Sequence, residues 1–220
     1  RSSYTLSTSS LAFGKQPLNL ASSAKTIILR STGITPLPIK SIVFDGINPL
    51  QFTQTNDCGT SVAAGASCTI RVRFKPTSTG SKAATLIVIA GGGAGRKSAT
   101  LVGTGVQSTF SVAPTALSFG NVARNATSAA KTARISNTGS VVLPITSIDL
   151  VGTNPAQFAR THNCPARLAA GGSCTVSVVF KPTLPRAKSA MLQVAPGGGG
   201  ALKTEYTRNR LRYATAMRTR

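Results

Sequence analysis

Four cysteines are the residues of this 220-residue chain whose type and spacing suit chemistry best. Nine residues separate Cys58 from Cys68, and nine separate Cys164 from Cys174. Such thiols can oxidise to disulfides or bind zinc, but four-cysteine zinc sites use ligand pairs only about two to four residues apart. Because the two pairs are equivalent, we predict the disulfides Cys58–Cys68 and Cys164–Cys174. Zinc and other pairings remain the less favoured alternatives.

Groups for acid–base or nucleophilic catalysis are scarce. His162 is the single histidine, and it lies in a polar stretch just before Cys164. Catalysis by carboxyl groups needs two acids close together, one with a raised pKa, and no such pair of acids is kept in both copies. The sequence also lacks a nucleophile-elbow motif. We therefore expect no catalytic residues, no resident metal and no cofactor. The four acids are Asp45, Asp57, Asp149 and Glu205.

The cysteines must be positioned by strands, because a strand pattern begins at Cys68 and again at Cys174. Residues 68–77 read CTIRVRFKPT, and residues 174–183 read CTVSVVFKPT. In the first copy Ile70, Val72 and Phe74 alternate with basic residues, as in a strand with one buried face. Each copy ends at Lys-Pro-Thr, where proline removes a ladder donor.

The chain contains one unit twice. At an offset of 106 residues, about 40 of roughly 90 aligned positions are identical without a gap. This period is too long for a solenoid motif and indicates duplication of a whole domain. We predict a first domain at 1–105, a linker at 106–109, a second domain at 110–200 with an atypical last strand, and a basic tail at 201–220.

Each unit has roughly seven short apolar stretches separated by turn residues and no helical periodicity. This pattern is typical of an all-β fold, and we predict two tandem immunoglobulin-like Greek-key β-sandwiches. Phe52 and Phe158 are expected in the two cores. The glycine-rich residues 91–95 and 197–200 lack the ending of a phosphate loop, and the first reads as a hairpin turn. Predicted strands of the first unit include 6–13, 25–31, 39–44, 84–89 and 98–102, with a loop at 14–23.

The motifs SFGNV, SNTGS, GTNPAQF and SCTVSVVFKPT follow one another in the second unit. In this combination they resemble the bacterial choice-of-anchor D repeat, a relative of Hydin-type and major-sperm-protein-like immunoglobulin-fold domains. The resemblance covers both units up to about residue 200. It implies seven-stranded sandwiches strung in tandem within large secreted or surface-attached bacterial proteins, with no catalytic residues known for the class. The first unit departs from the motif at residues 15–17.

The formal net charge of +21 indicates attraction to polyanions such as nucleic acid or acidic polysaccharide. Arg71, Arg73 and Lys75 alternate with the core residues of one strand and form a basic stripe. The second unit has Ser177 and Val179 in place of the two arginines, so the stripe is not repeated. The tail adds further candidate polyanion contacts at Arg208, Arg210 and Arg212.

The repeat fails after residues 91–93 and 197–199. Where the first unit continues as KSATLVGTG, the second has KTEYTRNRL and places Glu205 at the position of core residue Ala99. Three outcomes are open for the tail. It is disordered, it closes the second sandwich with Leu202, Thr204 and Tyr206 on one face, or it leaves an edge open to a strand from another chain.

No apolar run reaches the ~20 residues that a membrane span needs. The chain opens at Arg1 without the features of a signal peptide, and we expect a piece of a longer exported protein. Disulfides indicate an oxidising, secreted or cell-surface location. We predict a non-enzymatic structural or adhesive module, with a fibre building block as one form of it, whose partners are other copies of itself or neighbouring domains of a longer chain. Unspecific electrostatic binding of an acidic polymer is the alternative, and a chaperone-like role rests on fold analogy alone.

Overall fold

The computed structural model describes residues 1–197 and the strand at 209–217. The chain divides into two compact units, Arg1–Gln107 (unit 1) and Ser108–Arg220 (unit 2). In the described residues every regular element is a strand except two short 3-10 turns, Pro49–Gln51 and Pro155–Gln157. None of the described residues forms a helix long and apolar enough to cross a bilayer. The predicted all-β, immunoglobulin-like sandwich class is confirmed.

Unit 1 consists of two sheets packed around one core. The four-stranded sheet has the order β1-β3-β7-β5, and the five-stranded sheet has the order β2-β9-β8-β4-β6. All pairings are antiparallel except β2 with β9, which is parallel. The strands are β1 Tyr4–Leu6, β2 Ser10–Pro17, β3 Lys25–Ser31, β4 Leu37–Asp45, β5 Phe52–Asn56, β6 Ser61–Val62, β7 Ser67–Phe74, β8 Gly80–Ala90 and β9 Gly95–Val106.

Unit 2 repeats this arrangement strand for strand. Its sheets have the orders β10-β12-β16-β14 and β11-β18-β17-β13-β15, and β11 pairs with β18 in parallel. The strands are β10 Phe110–Ala113, β11 Gly120–Ala123, β12 Lys131–Asn137, β13 Leu143–Val151, β14 Phe158–His162, β15 Arg167–Leu168, β16 Ser173–Phe180, β17 Arg186–Pro196 and β18 Asn209–Met217.

The start of unit 1 differs from the prediction. Residues 6–13 are not one strand, because β1 belongs to one sheet and β2 to the other. The chain crosses between sheets at residues 7–9, where the Thr8 hydroxyl donates to the Ser10 carbonyl and also accepts from the Ser10 amide. β2 then continues to Pro17, inside the predicted loop. This split and the two-residue β6 give nine strands rather than about seven.

The core follows the predicted alternation. Ile70, Val72 and Phe74 of β7 are fully buried, while Arg71 and Arg73 between them are exposed. Apolar side chains at every second position therefore seal one face of the sheet, and burial of each contributes about 1.5–3 kcal/mol.

Three phenylalanines join the sheets of unit 1. Phe52 stacks on its register partner Phe74 with ring centroids 5.0 Å apart. Phe13 reaches them from the opposite sheet, with centroid distances of 5.8 and 5.9 Å. The predicted core position of Phe52 is confirmed. Phe119, Phe158 and Phe180 form the same cluster in unit 2, so the core position of Phe158 is confirmed as well.

Unit 2 is closed by β18, from the region in which the repeat fails. β18 pairs with β17 and β11, the places that β9 occupies against β8 and β2 in unit 1. Its register places Leu211 opposite Ala190, as Leu101 lies opposite Ala84. Three outcomes were open for the tail, and in the structure residues 209–217 form the strand that closes the second sandwich. The predicted face of Leu202, Thr204 and Tyr206 lies outside the described residues.

Gly103, near the end of β9, lies against the Phe74 ring without room for a side chain. A Cβ added to Gly103 would lie 2.5 Å from the Phe74 ring, closer than side chains tolerate. Gly103 pairs with Lys82, and in unit 2 the corresponding Lys188 pairs with Ala214. A one-residue irregularity between Lys188 and Ala190 accompanies this pairing. A small residue thus occupies the equivalent position in both units.

One buried polar position differs between the units. The Asn137 side-chain amide donates to the carbonyls of Val141, Leu168 and Ala169 at 2.9–3.0 Å. Its oxygen accepts from the Gly139 amide. The aligned residue in unit 1 is Ser31, whose buried hydroxyl has no hydrogen-bond partner within the described residues. Asn137 therefore fixes the loops at its end of unit 2, and Ser31 does not do so in unit 1.

Replacing each of these two residues by alanine should give opposite results. Asn137→Ala leaves buried carbonyls without a donor and should lower the free energy of unfolding by about 2–3 kcal/mol. Ser31→Ala removes a hydroxyl that makes no bond and should be neutral or slightly stabilising. Urea unfolding followed by circular dichroism measures both. Equal losses for the two variants would show that the hydrogen bonds of Asn137 contribute nothing specific.

Candidate functional site

The cysteine pairs form the bridges that the sequence predicts. Cys58 is bonded to Cys68, and Cys164 is bonded to Cys174, with a Cα–Cα distance of 4.9 Å in each pair. Each bridge joins the loop after an edge strand, β5 or β14, to the second residue of the neighbouring inner strand, β7 or β16. Asp57 lies next to the first bridge and completes a group of three metal-ligand residue types. Bonded cysteine sulfurs offer no thiolate to a metal, so this geometry serves the loop.

Loop-fixing hydrogen bonds surround both bridges. The Asp57 carboxylate accepts from the Thr69 amide at 2.6 Å, and in unit 2 the Asn163 side chain accepts from the Thr175 amide at 2.8 Å. The carboxylate of Asp57 and the side-chain amide of Asn163 thus accept the same backbone hydrogen bond in the two units. This exchange argues that the negative charge of Asp57 is not required for the loop.

His162 has the same kind of role. Its Nδ1 accepts from the Cys164 amide at 3.3 Å, and the aligned Asn56 accepts from the Cys58 amide at 3.2 Å. The side chain is exposed at the end of β14. The ring therefore acts as a turn acceptor beside the disulfide, which agrees with its expected place in a polar loop.

The Asp149 carboxylate takes part in an ion pair. Arg160 Nη2 donates to Asp149 Oδ1 at 2.8 Å, across the edge where β14 and β13 approach each other. The Ser147 hydroxyl and the Arg160 guanidinium hold the pKa of Asp149 below its usual value. A lowered pKa keeps the carboxylate charged in the folded protein. The pair therefore stabilises unit 2 at pH values above the ordinary pKa of a carboxyl group, and this stabilisation is lost as the pH falls through the lowered pKa of Asp149. The aligned residues in unit 1 are Val43 and Gln54, so the pair is not repeated.

The basic stripe lies on the outer face of the four-stranded sheet of unit 1. Arg71, Arg73 and Lys75 are all exposed. Arg71 Nη1 is 3.6 Å from Asp57 Oδ2, with both side chains about half exposed, at 51% and 54%. Arg73 Nη1 donates to the Ser22 carbonyl at 2.8 Å. Water screens the Arg71–Asp57 pair, so it offsets only part of the charge.

The structure brings together only the unit 1 part of the predicted polyanion contacts. Arg208 lies outside the described residues. Arg210 and Arg212 fall in β18, where the register pairs Arg210 with Met191. The role of all six residues in binding polyanions remains a prediction.

Two exposed aliphatic residues were missed by the sequence analysis. Ile47 precedes the 3-10 turn after β4 and Leu50 lies within it, and they are 86% and 91% exposed. The signal was available in the repeat, because GINPLQF in unit 1 aligns with GTNPAQF in unit 2. Unit 2 has Thr153 and Ala156 at these positions, so the fold does not require large aliphatic side chains there.

A surface cavity of about 300 Å³ lies where the chain crosses from β1 to β2. Four of its six lining residues carry a hydroxyl group, and the Lys97 ammonium lies 5.7 Å from the centroid of the Tyr4 ring. Burial raises the pKa of Tyr4, whose hydroxyl donates to the Val88 carbonyl. The cavity holds no pair of acid–base groups. Its lining residues are Thr5, Leu6, Thr8, Ser9, Lys97 and Ser98.

No family model and no curated protein matches this chain. The solved structures give distant likenesses only. A protein of unknown function from Porphyromonas gingivalis is 13% identical, with a TM-score of 0.39 and coverage of 96% of this chain and 99% of that one. The E. coli chaperone DraB is 10% identical, with a TM-score of 0.34 and coverage of 98% and 96%. The secreted serine protease VesC from Vibrio cholerae is 14% identical, with a TM-score of 0.36 and coverage of 85% of this chain and 49% of the protease.

These likenesses assign neither an activity nor a partner to this chain. The resemblance to the choice-of-anchor D repeat likewise stays a prediction, since no family model supports it.

Removal of each disulfide should destabilise its own unit. Cys58→Ala/Cys68→Ala and Cys164→Ala/Cys174→Ala each free a loop of similar length, and each should lower the free energy of unfolding by about 2–3 kcal/mol. Denaturant unfolding of the two double variants checks this, with the reduced wild type as the control. Peptide mapping without reductant should find both local bridges in the wild type. Free thiols, or a bridge between the units, would contradict this pairing.

Proposed function

We propose that this chain is a structural or adhesive module of an extracellular or cell-surface bacterial protein, and a building block of a fibre. The observation that carries the proposal is what the two units have kept. They share core side chains and the hydrogen bonds of their turns, whereas most of their exposed charged residues differ. A spacer or building block needs only the core and the turns.

The shared turn bonds are specific. Asn48 accepts from the Ala83 amide of β8, and Asn154 accepts from the Ser189 amide of β17. The Ser22 and Ser128 hydroxyls accept from the amides of Phe74 and Phe180. Polar side chains have therefore been kept where they shape turns. The ion pair of Asp149 and the stripe containing Arg71 occur in one unit each.

The surroundings of the acids and the histidine support a non-enzymatic role. Asp57 and Asp149 are engaged with arginines, and His162 accepts a backbone amide proton. None of these three is placed with a second acid–base group at a cavity within the described residues. The disulfides favour an oxidising compartment, and the motif resemblance favours a bacterial surface protein with other copies or neighbouring domains as partners.

Assembly in solution tests the building-block role. The purified chain should form oligomers or fibres whose mass, measured by light scattering, rises with protein concentration. Electron microscopy should show repeating units along any fibre. A strictly monomeric chain at every concentration would contradict the fibre role and leave a spacer within a longer protein.

Polyanion binding is the second candidate function, and the exposed, mostly uncompensated stripe of Arg71, Arg73 and Lys75 favours it. Binding would be electrostatic and unspecific, because no aromatic side chain is interleaved with these charges for base stacking. The arginine guanidinium can form bidentate hydrogen bonds with sulfate, carboxylate or phosphate groups.

Exchanging the stripe for the residues of unit 2 tests this candidate. Arg71→Ser/Arg73→Val should weaken binding to heparin and reduce the slope of log affinity against log salt by roughly one to two. Lys40→Thr/Arg96→Ser, which also removes two exposed basic side chains but from the five-stranded sheet of unit 1, is the control matched for net charge. An equal loss in the control would show that only total charge matters. Wild-type binding that is insensitive to salt would rule out electrostatic recognition.

A further inference from the structure

The connection from β4 to β5 in unit 1 holds two aliphatic side chains in water. Ile47 and Leu50 are 86% and 91% exposed, while Phe52, two residues after Leu50, is buried in the core. A single exposed aliphatic residue is ordinary, but two within four positions of one turn form a local apolar surface. We call this surface, Ile47 and Leu50 with Lys75 beside them, the aliphatic tip.

The backbone beneath the aliphatic tip is fixed on both sides. Asn48 exchanges two hydrogen bonds with Ala83, one through its amide at 2.9 Å and one through its side chain at 3.1 Å. Gln51 accepts from the Thr77 amide at 2.6 Å through its side chain, and from the Lys75 amide at 2.8 Å through its carbonyl. The turn is thus rigid, so the two side chains cannot fold back into the core.

Unit 2 shows that these hydrogen bonds of the turn do not require large aliphatic side chains beside them. Asn154 and Gln157 make the same bonds, to Ser189 and Thr183. The positions of the two aliphatics are held there by Thr153 and Ala156. The apolar character of the tip in unit 1 is therefore a property of its surface, independent of folding.

The charge around the tip indicates what covers it. Lys75 is exposed and bonded through its backbone to Gln51, and Arg73 is exposed two residues earlier. Asp45 is the acid on the same connection, and its carboxylate accepts from the Gly46 amide. A second copy that docked tip to tip would bring its own Lys75 to the contact, so like charges would meet there.

We propose that the aliphatic tip docks onto a lipid bilayer that carries anionic headgroups. Stable attachment to a membrane surface takes two signals, apolar insertion and electrostatic attraction. Ile47 and Leu50 supply the first, and Lys75 together with the net positive charge of the chain supplies the second. The proposal does not depend on the building-block role, because a monomer can bind in this way.

Co-sedimentation with vesicles of phosphatidylcholine mixed with phosphatidylglycerol tests the proposal. The variant Ile47→Thr/Leu50→Ala carries the residues of unit 2. Its affinity for the vesicles should fall at least about tenfold. Lys75→Gln should lower binding to the anionic vesicles about fivefold and leave the weak binding to pure phosphatidylcholine unchanged. All three changes are at exposed positions, so melting temperatures should equal that of the wild type.

Leu184→Ser is the matched control, because Leu184 is an exposed leucine of unit 2 whose aligned residue is Ser78. It should bind vesicles like the wild type. Absence of vesicle binding by the wild type would overturn the proposal, as would an unchanged affinity of the Ile47→Thr/Leu50→Ala variant. A fall in the light-scattering mass of that variant without vesicles, with vesicle binding unaffected, would instead identify a second copy as the occupant and overturn it.

Discussion

Contact between one phenylalanine of the five-stranded sheet and two of the four-stranded sheet is the interaction on which each sandwich depends. Phe13 meets Phe52 and Phe74 in unit 1, and the aligned residues do the same in unit 2. Aromatic rings bury large areas and gain about 0.5–1.5 kcal/mol per pair from their geometry. In a chain without tryptophan, this cluster fixes the spacing of the sheets. The amide of Phe74 also bonds to the Ser22 hydroxyl, which links the loop before β3 to the cluster.

The units show what this scaffold permits to change. Around the constant cluster, Ser31 corresponds to Asn137, and Asp57 to Asn163. Some of these exchanges alter only loop bonding. Others alter the surface: the basic stripe and the aliphatic tip occur in unit 1, and the Asp149–Arg160 pair occurs in unit 2. Duplication followed by divergence of exposed residues has given one fold two different surfaces, and our proposals of polyanion and bilayer contact both concern unit 1.

The sequence predicts the parts of the fold that rest on alternation and repetition. The β7 strand, its buried residues and the disulfides follow from patterns that recur in both units. Alternation cannot show where a strand changes sheets, so the division between β1 and β2 was missed. A closing strand from the tail was one of three open outcomes, but its residues were not identified. β18 is displaced along the chain and carries an extra residue between Leu211 and Ala214, whereas an ungapped comparison requires a constant offset. Exposure of Ile47 and Leu50 depends on turn geometry that a hydrophobic pattern does not contain.

Closure of unit 2 by residues 209–217 is the central structural claim, and hydrogen exchange tests it directly. The amides of β17 should exchange slowly in the intact chain, because this strand lies between β13 and β18. In a chain that ends at residue 200, exchange in the Arg186–Leu192 part of β17 should become much faster, while β8 of unit 1 should be unaffected. Equal exchange of β17 in the two chains would contradict the account, because it would mean that the sheet of unit 2 does not use its C-terminal strand.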